Sequence, residues 1–219
     1  MNLSTRLTIA MVSLVLLTVA AVGYLSYRNL EAAIVPAEMT RLDARARMQA
    51  AVLDSHVRWA RADVLAATGS TALDSYLHAH FAGGTDPRDG SKEAVWLDRF
   101  ARVLVSQLKA KPEYNQFRLI GIADGRREIL RVDRSGAGGT IRIVPDGELQ
   151  QKGDRPYLKN TASLPRGEVY VSPIELNQEH GAVETPHLPV IRLGTPIFGP
   201  DGKVFGIIIV NIDMRPAFA

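Results

Sequence analysis

ELQQKGDRPYLKNTASLPRGEVYVSPIELNQEHGAVETPHLPVIRLGTPIFGPDGKVFGIIIVNID, residues 148–213, is the stretch on which the fold turns. Within it, 168–172 alternates Val169 and Val171 with Glu168, Tyr170 and Ser172, the period of two of a half-buried strand. A second strand is predicted over 190–198. A third is predicted over 204–212, VFGIIIVNI, apolar on nearly every side chain and therefore central and covered on both faces. Gly199-Pro200-Asp201-Gly202 lies between the last two with strong turn chemistry, so they form an antiparallel hairpin.

Polar residues are built into and before these strands. Gln150, Lys152, Arg155 and Tyr157 crowd one short segment, and Arg192 sits inside an apolar strand between Ile191 and Leu193. A guanidinium there must reach an anion, a carbonyl or water. Two arrangements satisfy it: an inward-facing pocket for a small anionic or polar ligand, or an Arg pointing to solvent on an open sheet face.

Working outward, the period is also two over 116–122 and 128–133, with Asp124-Gly125 as the turn between them. Residues 140–144 are a short extended segment, and 146–152 and 157–162 are expected as helical turns across the sheet. The glycines of 135–139 do not read as a phosphate loop, because no helix opens after them and no Lys-Ser/Thr pair follows. Upstream, Ser91 is the expected cap of a helix reaching Lys111, with Trp96, Leu97, Phe100, Val103, Leu104 and Leu108 on its buried face and Pro112 closing it. Ser70-Thr71 is expected to cap a shorter helix ending at Phe81. There Asp74 and His78 share a face at a spacing open to a metal, but with no other ligand in support they read as surface residues. Residues 29–67 read as one long helix whose apolar stripe runs through Leu42, Ala46, Gln49, Leu53, Val57, Ala60, Val64 and Ala67, with Pro36 near its start. That narrow, alanine-rich stripe suits packing on a sister helix in a homodimer as well as on the chain's own domain.

Residues 7–27 carry no charge, between Arg6 and Arg28. A helix of about 20 residues spans roughly 30 Å, a bilayer core. The run exceeds the core of a cleaved signal, so a retained anchor is expected, although small residues near 19–23 would also suit a cleavage site. Tyr24 and Tyr27 would lie at the outer interface, with the amino terminus inside and the bulk outside the cell membrane. The chain has 219 residues, a net charge of +3 and no cysteine. The charge is too small and scattered to argue for nucleic acid, and thiol catalysis and thiolate metal sites are excluded. The sum is an α+β protein: a transmembrane helix, a long helix, then an antiparallel sheet with helices and a helical insert over one face.

The pattern resembles the extracytoplasmic Cache sensors, PAS-like domains of bacterial membrane receptors, and most closely the membrane-distal half of the double-Cache sensor of histidine kinases. The residues that carry the resemblance are Tyr114-Asn115-Gln116-Phe117-Arg118, Glu128-Ile129-Leu130-Arg131-Val132, and Leu149-Gln150-Gln151-Lys152 with Arg155 and Tyr157. They continue through Gly167-Glu168-Val169-Tyr170-Val171-Ser172-Pro173, Leu176-Asn177 with Glu179 and Gly181, Pro189-Val190-Ile191-Arg192, and Gly206-Ile207-Ile208-Ile209-Val210-Asn211. The resemblance implies a five-stranded sheet with a pocket on one face, roofed by the insert that carries Arg155 and Tyr157. It also implies residues 1–28 as cytoplasmic tip and membrane helix, 29–112 as long helix and helical segment, 113–213 as sensor domain, and 214–219 as the start of a linker to a second domain. A further membrane span and a cytoplasmic output module would follow. Some members of the family bind amino acids through an Arg followed two residues later by Trp and Tyr. Here Arg155-Pro156-Tyr157-Leu158 keeps the Arg and departs at the aromatic pair, which argues against an α-amino acid and leaves a carboxylate or another small anion open within the wider expectation of a small polar or anionic ligand.

The expected ligand contacts are Arg155, Tyr157 and Arg192, then Lys152, Arg118, Arg131, Gln150 and Tyr170. For Arg118 and Arg131 the competing role is a structural network that holds the insert on the sheet. No cofactor, metal or catalytic residue is expected. An anchored hydrolase would have to draw on His180, Glu184 and His187, whose spacing matches no helical metal motif, and Ser172 lacks a nucleophile elbow. A dimerising module without a ligand is the other alternative.

Overall fold

The computed structural model describes residues 2–123, 125–135, 139–153 and 155–218. The chain divides into two compact units, 1–52 and 53–219. In the first, residues 3–52 belong to α1 (Leu3–Thr68), whose apolar side chains there are exposed. By length and composition α1 can cross a membrane. Pro36 lies inside the helix without ending it, and the Thr40 hydroxyl donates to the Pro36 carbonyl at 2.8 Å.

The second unit begins with the last turns of α1, followed by α2 (Thr71–Phe81) and α3 (Glu93–Ala110). Ser70 caps α2 as expected, accepting from the Leu73 amide at 3.3 Å. Ser91 does not cap α3. Lys92 holds the cap position without a side-chain bond, because Ser91 is engaged in the preceding loop, where its carbonyl accepts from the Asp86 amide. The remaining elements are β1 (Tyr114–Gly121), β2 (Glu128–Ser135), β3 (Thr140–Ile143), α4 (Pro156–Ala162), β4 (Tyr170–Val171), β5 (Glu175–Leu176), β6 (Gln178–Glu179), β7 (Ala182–Val183), β8 (Pro189–Phe198) and β9 (Val204–Asp213).

The main sheet is antiparallel, ordered β3-β2-β1-β9-β8-β4, with β5 also paired to β8. The expected five strands are present and gain two short ones, β3 and β5. The strand expected over 168–172 shrinks to Tyr170–Val171. It pairs on one side only, and Pro173 has no amide to carry the ladder onward. Val171 is consequently exposed rather than buried, whereas Val169 is buried. The segment 146–152 is not helical beyond one turn at Asp146–Glu148; it then runs extended, with Gln151 bridged to Arg127. Of the turn expected at Asp124-Gly125, Gly125 takes a φ of +70°. Asp124, and residues 136–138 of the expected glycine loop, lie outside the described residues.

Alternation along the central strands gives the sheet two unlike faces. Phe117, Leu119, Val132, Leu193, Ile208 and Val210 face a core closed by Ala60, Val64 and Ala67 of α1, Leu73 and Tyr76 of α2, and Phe100, Leu104 and Leu108 of α3. On the other face, Ile120, Ile207 and Ile209 pack under Tyr157 and Leu158 of α4. Covered on both sides, β9 is the buried central strand its composition predicted. At Gly206 a Cβ would stand 2.5 Å from the Ile120 carbonyl oxygen, so β9 can lie against β1 there only without a side chain.

Candidate functional site

Beyond α4 the second face turns polar. Register places Asp133 opposite Gln116, Gln116 opposite Asn211, and Asn211 opposite Arg192, a row across four strands. The adjacent row pairs Arg131 with Arg118. Arg118, Arg131 and Arg192 are all buried, so Arg192 does not point to solvent from an open face.

Three carboxylates answer Arg118, Arg131 and a third buried cation, Lys152. Glu128, fully buried, lies 3.0 Å from Arg118 Nε, 3.4 Å from Arg131 Nη1 and 3.4 Å from Lys152 Nζ. Asp133 pairs with Arg131 at 2.8 Å. Glu179 is brought in by a two-residue hairpin, β6–β7, whose turn residues His180 and Gly181 have φ of 50° and 82°; positive values at both central positions are what a type I′ turn requires. Its carboxylate meets Arg118, Lys152 at 3.2 Å and Arg131 at 3.5 Å. It also accepts from the side-chain amides of Gln150 at 2.9 Å, Asn177 at 3.3 Å and Gln116 at 3.4 Å. Burial pushes its pKa up, but Arg118, Lys152, Arg131 and the Gln150 bond outweigh that and hold it at about 2. Burial, with Arg118 nearby, pushes the Lys152 ammonium downward against Glu179 and Glu128. Arg118 and Arg131 are both members of this ion-pair network.

Next to the network is a cavity of about 390 Å³ between α4 and the edge of the sheet. Six of the eight predicted contacts line it: Arg118, Lys152, Arg155, Tyr157, Tyr170 and Arg192. Arg155 occupies the N-cap position of α4, with Pro156 at the first helical position, which suits a ring that fixes φ and lacks an amide hydrogen. Arg155 donates to Gln178 at 2.6 Å, a neutral partner. Arg192 Nη1 donates to Glu175 at 2.8 Å and Nη2 to Asn177 at 3.3 Å, and the guanidinium stands 5.3 Å from the Tyr157 ring centre. Its Nε is buried and has no acceptor among the described residues. Burial lowers the pKa of Arg192 and raises that of Tyr157. Four cations and one carboxylate, Glu175, line the cavity.

Arg131 and Gln150 are not in that lining. Arg131 belongs to a neighbouring cavity of about 670 Å³, and Gln150 to a shallower one beside His180. Leu176 and Gln178 line the 390 Å³ cavity without having been expected. Glu128, Asp133 and Glu179 escaped sequence analysis as counter-charges. One signal was available: Arg131 and Asp133 are two apart on a strand and so must share a face. Of the hydrolase candidates, His180 Nε2 lies 3.4 Å from Gln150 Nε2 and His187 Nδ1 lies 3.2 Å from the Glu184 carbonyl. Among the described residues no three His, Asp or Glu gather as a metal site would need. His78 lies 3.7 Å from Asp74, which also pairs with Arg88.

With this geometry in view, the fold is that of the extracellular sensor domains of histidine kinases and chemoreceptors, as the Cache resemblance implied. One such structure is a domain described as belonging to a sensory box/GGDEF family protein from Vibrio parahaemolyticus, at 20% identity and TM-score 0.62, covering 83% of this chain and 60% of that one. Another is the extracellular domain of a protein described as the histidine kinase vpHK1S-Z8, at 22% identity and TM-score 0.63, with coverages of 83% and 57%. A third is the ligand-binding domain of the Campylobacter jejuni chemoreceptor Tlp3 in complex with 4-methylisoleucine, at 14% identity and TM-score 0.53, with coverages of 82% and 59%. The chain thus spans about three-fifths of the length of these structures. No family model and no curated protein matches it.

Proposed function

We propose that residues 53–219 form an extracytoplasmic sensing module of a membrane-anchored signalling receptor, binding a small anionic molecule between the sheet and α4. The observation that carries this is Arg192: a buried strand arginine, stacked on Tyr157, with an unanswered N–H beside a cavity that Arg155 also lines. A guanidinium fork holds a carboxylate through two parallel bonds, and the cavity volume is within the usual range for small-molecule sites. That Tlp3 carries an amino-acid-like ligand on the same fold supports a small-molecule occupant; the departure at Tyr157-Leu158 favours a carboxylate without requiring an α-amino group.

Anchoring through α1 would hold the module outside the membrane, and the same helix would carry the response. Ala60, Val64 and Ala67 of α1 belong to the core of the module, so occupancy that favours one packing of these turns over another is transmissible as a helix displacement of about 1–2 Å. The test is a thermal-shift screen against small mono- and dicarboxylates. A stabilising ligand should lose its effect in Arg155→Ala and in Arg192→Ala, whereas an undiminished shift in both variants would remove the cavity from the binding reaction.

A further inference from the structure

We infer that Glu179 is a tethered carboxylate occupying a carboxylate-binding site that the rest of the fold builds without it. The sheet and the segment before α4 supply three buried cations, Arg118, Arg131 and Lys152, whereas β2 supplies two carboxylates, Glu128 and Asp133. The remaining positive charge is met by Glu179, which does not belong to the main sheet. It hangs on the β6–β7 hairpin, whose outer residues His180, Gly181, Ala182 and Val183 are exposed. Inward bonds of the hairpin are polar: Glu179 to the cations, Gln178 to Arg155, and the His180 amide to Gln150 Oε1 at 3.1 Å. Two of the cations, Arg118 and Lys152, also line the 390 Å³ cavity. Of these bonds Glu179 alone brings a charge to the cations, and an external carboxylate of the right size satisfies the same donors. This holds whether or not the Arg155–Arg192 end of the cavity takes a ligand.

The experiment is Glu179→Ala in the full chain, which deletes a CH₂–COO⁻ fragment the size of acetate. Expected is a lower Tm that acetate restores saturably; at about ten times its Kd the gain should be roughly 3–6 °C. Sodium chloride at equal ionic strength and acetamide should restore nothing, and wild type should gain less from acetate than Glu179→Ala does. Glu179→Gln fills the same space without the charge and should lose stability without acetate rescue. If Glu179→Ala folds only during refolding in acetate and not in chloride, that supports the same conclusion. Equal responses of Glu179→Ala and wild type to acetate, or equal rescue by acetamide, would overturn it. So would failure to fold in both salts. Acetate held at the Arg155–Arg192 end of the cavity would raise both proteins alike, so the difference between them reads the Glu179 site.

Discussion

At the scale of single residues, the module is defined by buried charges that must neutralise one another. Taking an ion out of water costs several kcal/mol unless partners replace its solvation, so Arg118, Arg131 and Lys152 oblige the chain to deliver carboxylates to them. Glu179 has the clearest consequence. Its pKa falls from an ordinary 4.5 to about 2 on folding, so over that interval the unfolded chain binds the proton more readily. The stabilisation is therefore complete above about pH 4.5 and is lost as pH falls toward 2. Denaturant titrations from pH 6 downward should show stability declining through this window in wild type, with a shallower decline in Glu179→Gln. The cations were visible in the sequence because an Arg inside an apolar strand contradicts its surroundings. Their counter-charges were less visible, since Glu179 lies in a polar stretch where one more acid raises no conflict.

At the scale of elements, strands with a strong apolar pattern were legible and edge elements were not. VFGIIIVNI announced β9 and its central place, and Gly199-Pro200-Asp201-Gly202 announced its hairpin with β8. Here Gly202 takes a φ of +76° and its amide returns to the Gly199 carbonyl at 3.0 Å. Two-residue elements such as β4 to β7 carry too few side chains for a period to emerge, and their existence depends on the partner strand. The His180-Gly181 turn was hidden for a different reason: His is a weak turn signal, and only Gly181 marks the reversal. Close approach of β9 to β1 at Gly206 leads to a firm expectation. Gly206→Ala should destabilise the module by about 1–3 kcal/mol, because the methyl meets backbone that no rotamer change can move. Chemical denaturation with an unchanged m-value would check this; a neutral result would mean that the strands separate easily.

At the scale of the whole molecule, all buried core residues among those described lie at or beyond residue 60. A fragment of residues 53–219 should therefore fold as a soluble, cooperative unit, detectable as a single thermal transition by circular dichroism and a monodisperse peak in gel filtration. Loss of secondary structure in that fragment would show that the module needs the first unit. The α+β order was legible because helical and strand periods occupy separate stretches of the chain. The location of the cavity was legible only in part: its cations stood out, but the neutral wall of Leu176 and Gln178 comes from a segment with no periodicity.

The polar row across the sheet has a directional sense. Asp133 can only accept, so Gln116 turns its amide nitrogen toward it, at 2.6 Å, and its oxygen toward Asn211. Asn211 must then donate onward, to Asn177 Oδ1 at 3.2 Å, the atom that Arg192 also reaches. The acid at one margin and the arginine at the other thereby fix one polarity from both ends, because Arg192 can only donate and the Asn177 amide nitrogen donates to Glu179 and Glu184. An Asn at 133 would remove the first of these anchors, and Gln116 would keep its orientation through Asn211 and through its bond to Glu179 at 3.4 Å.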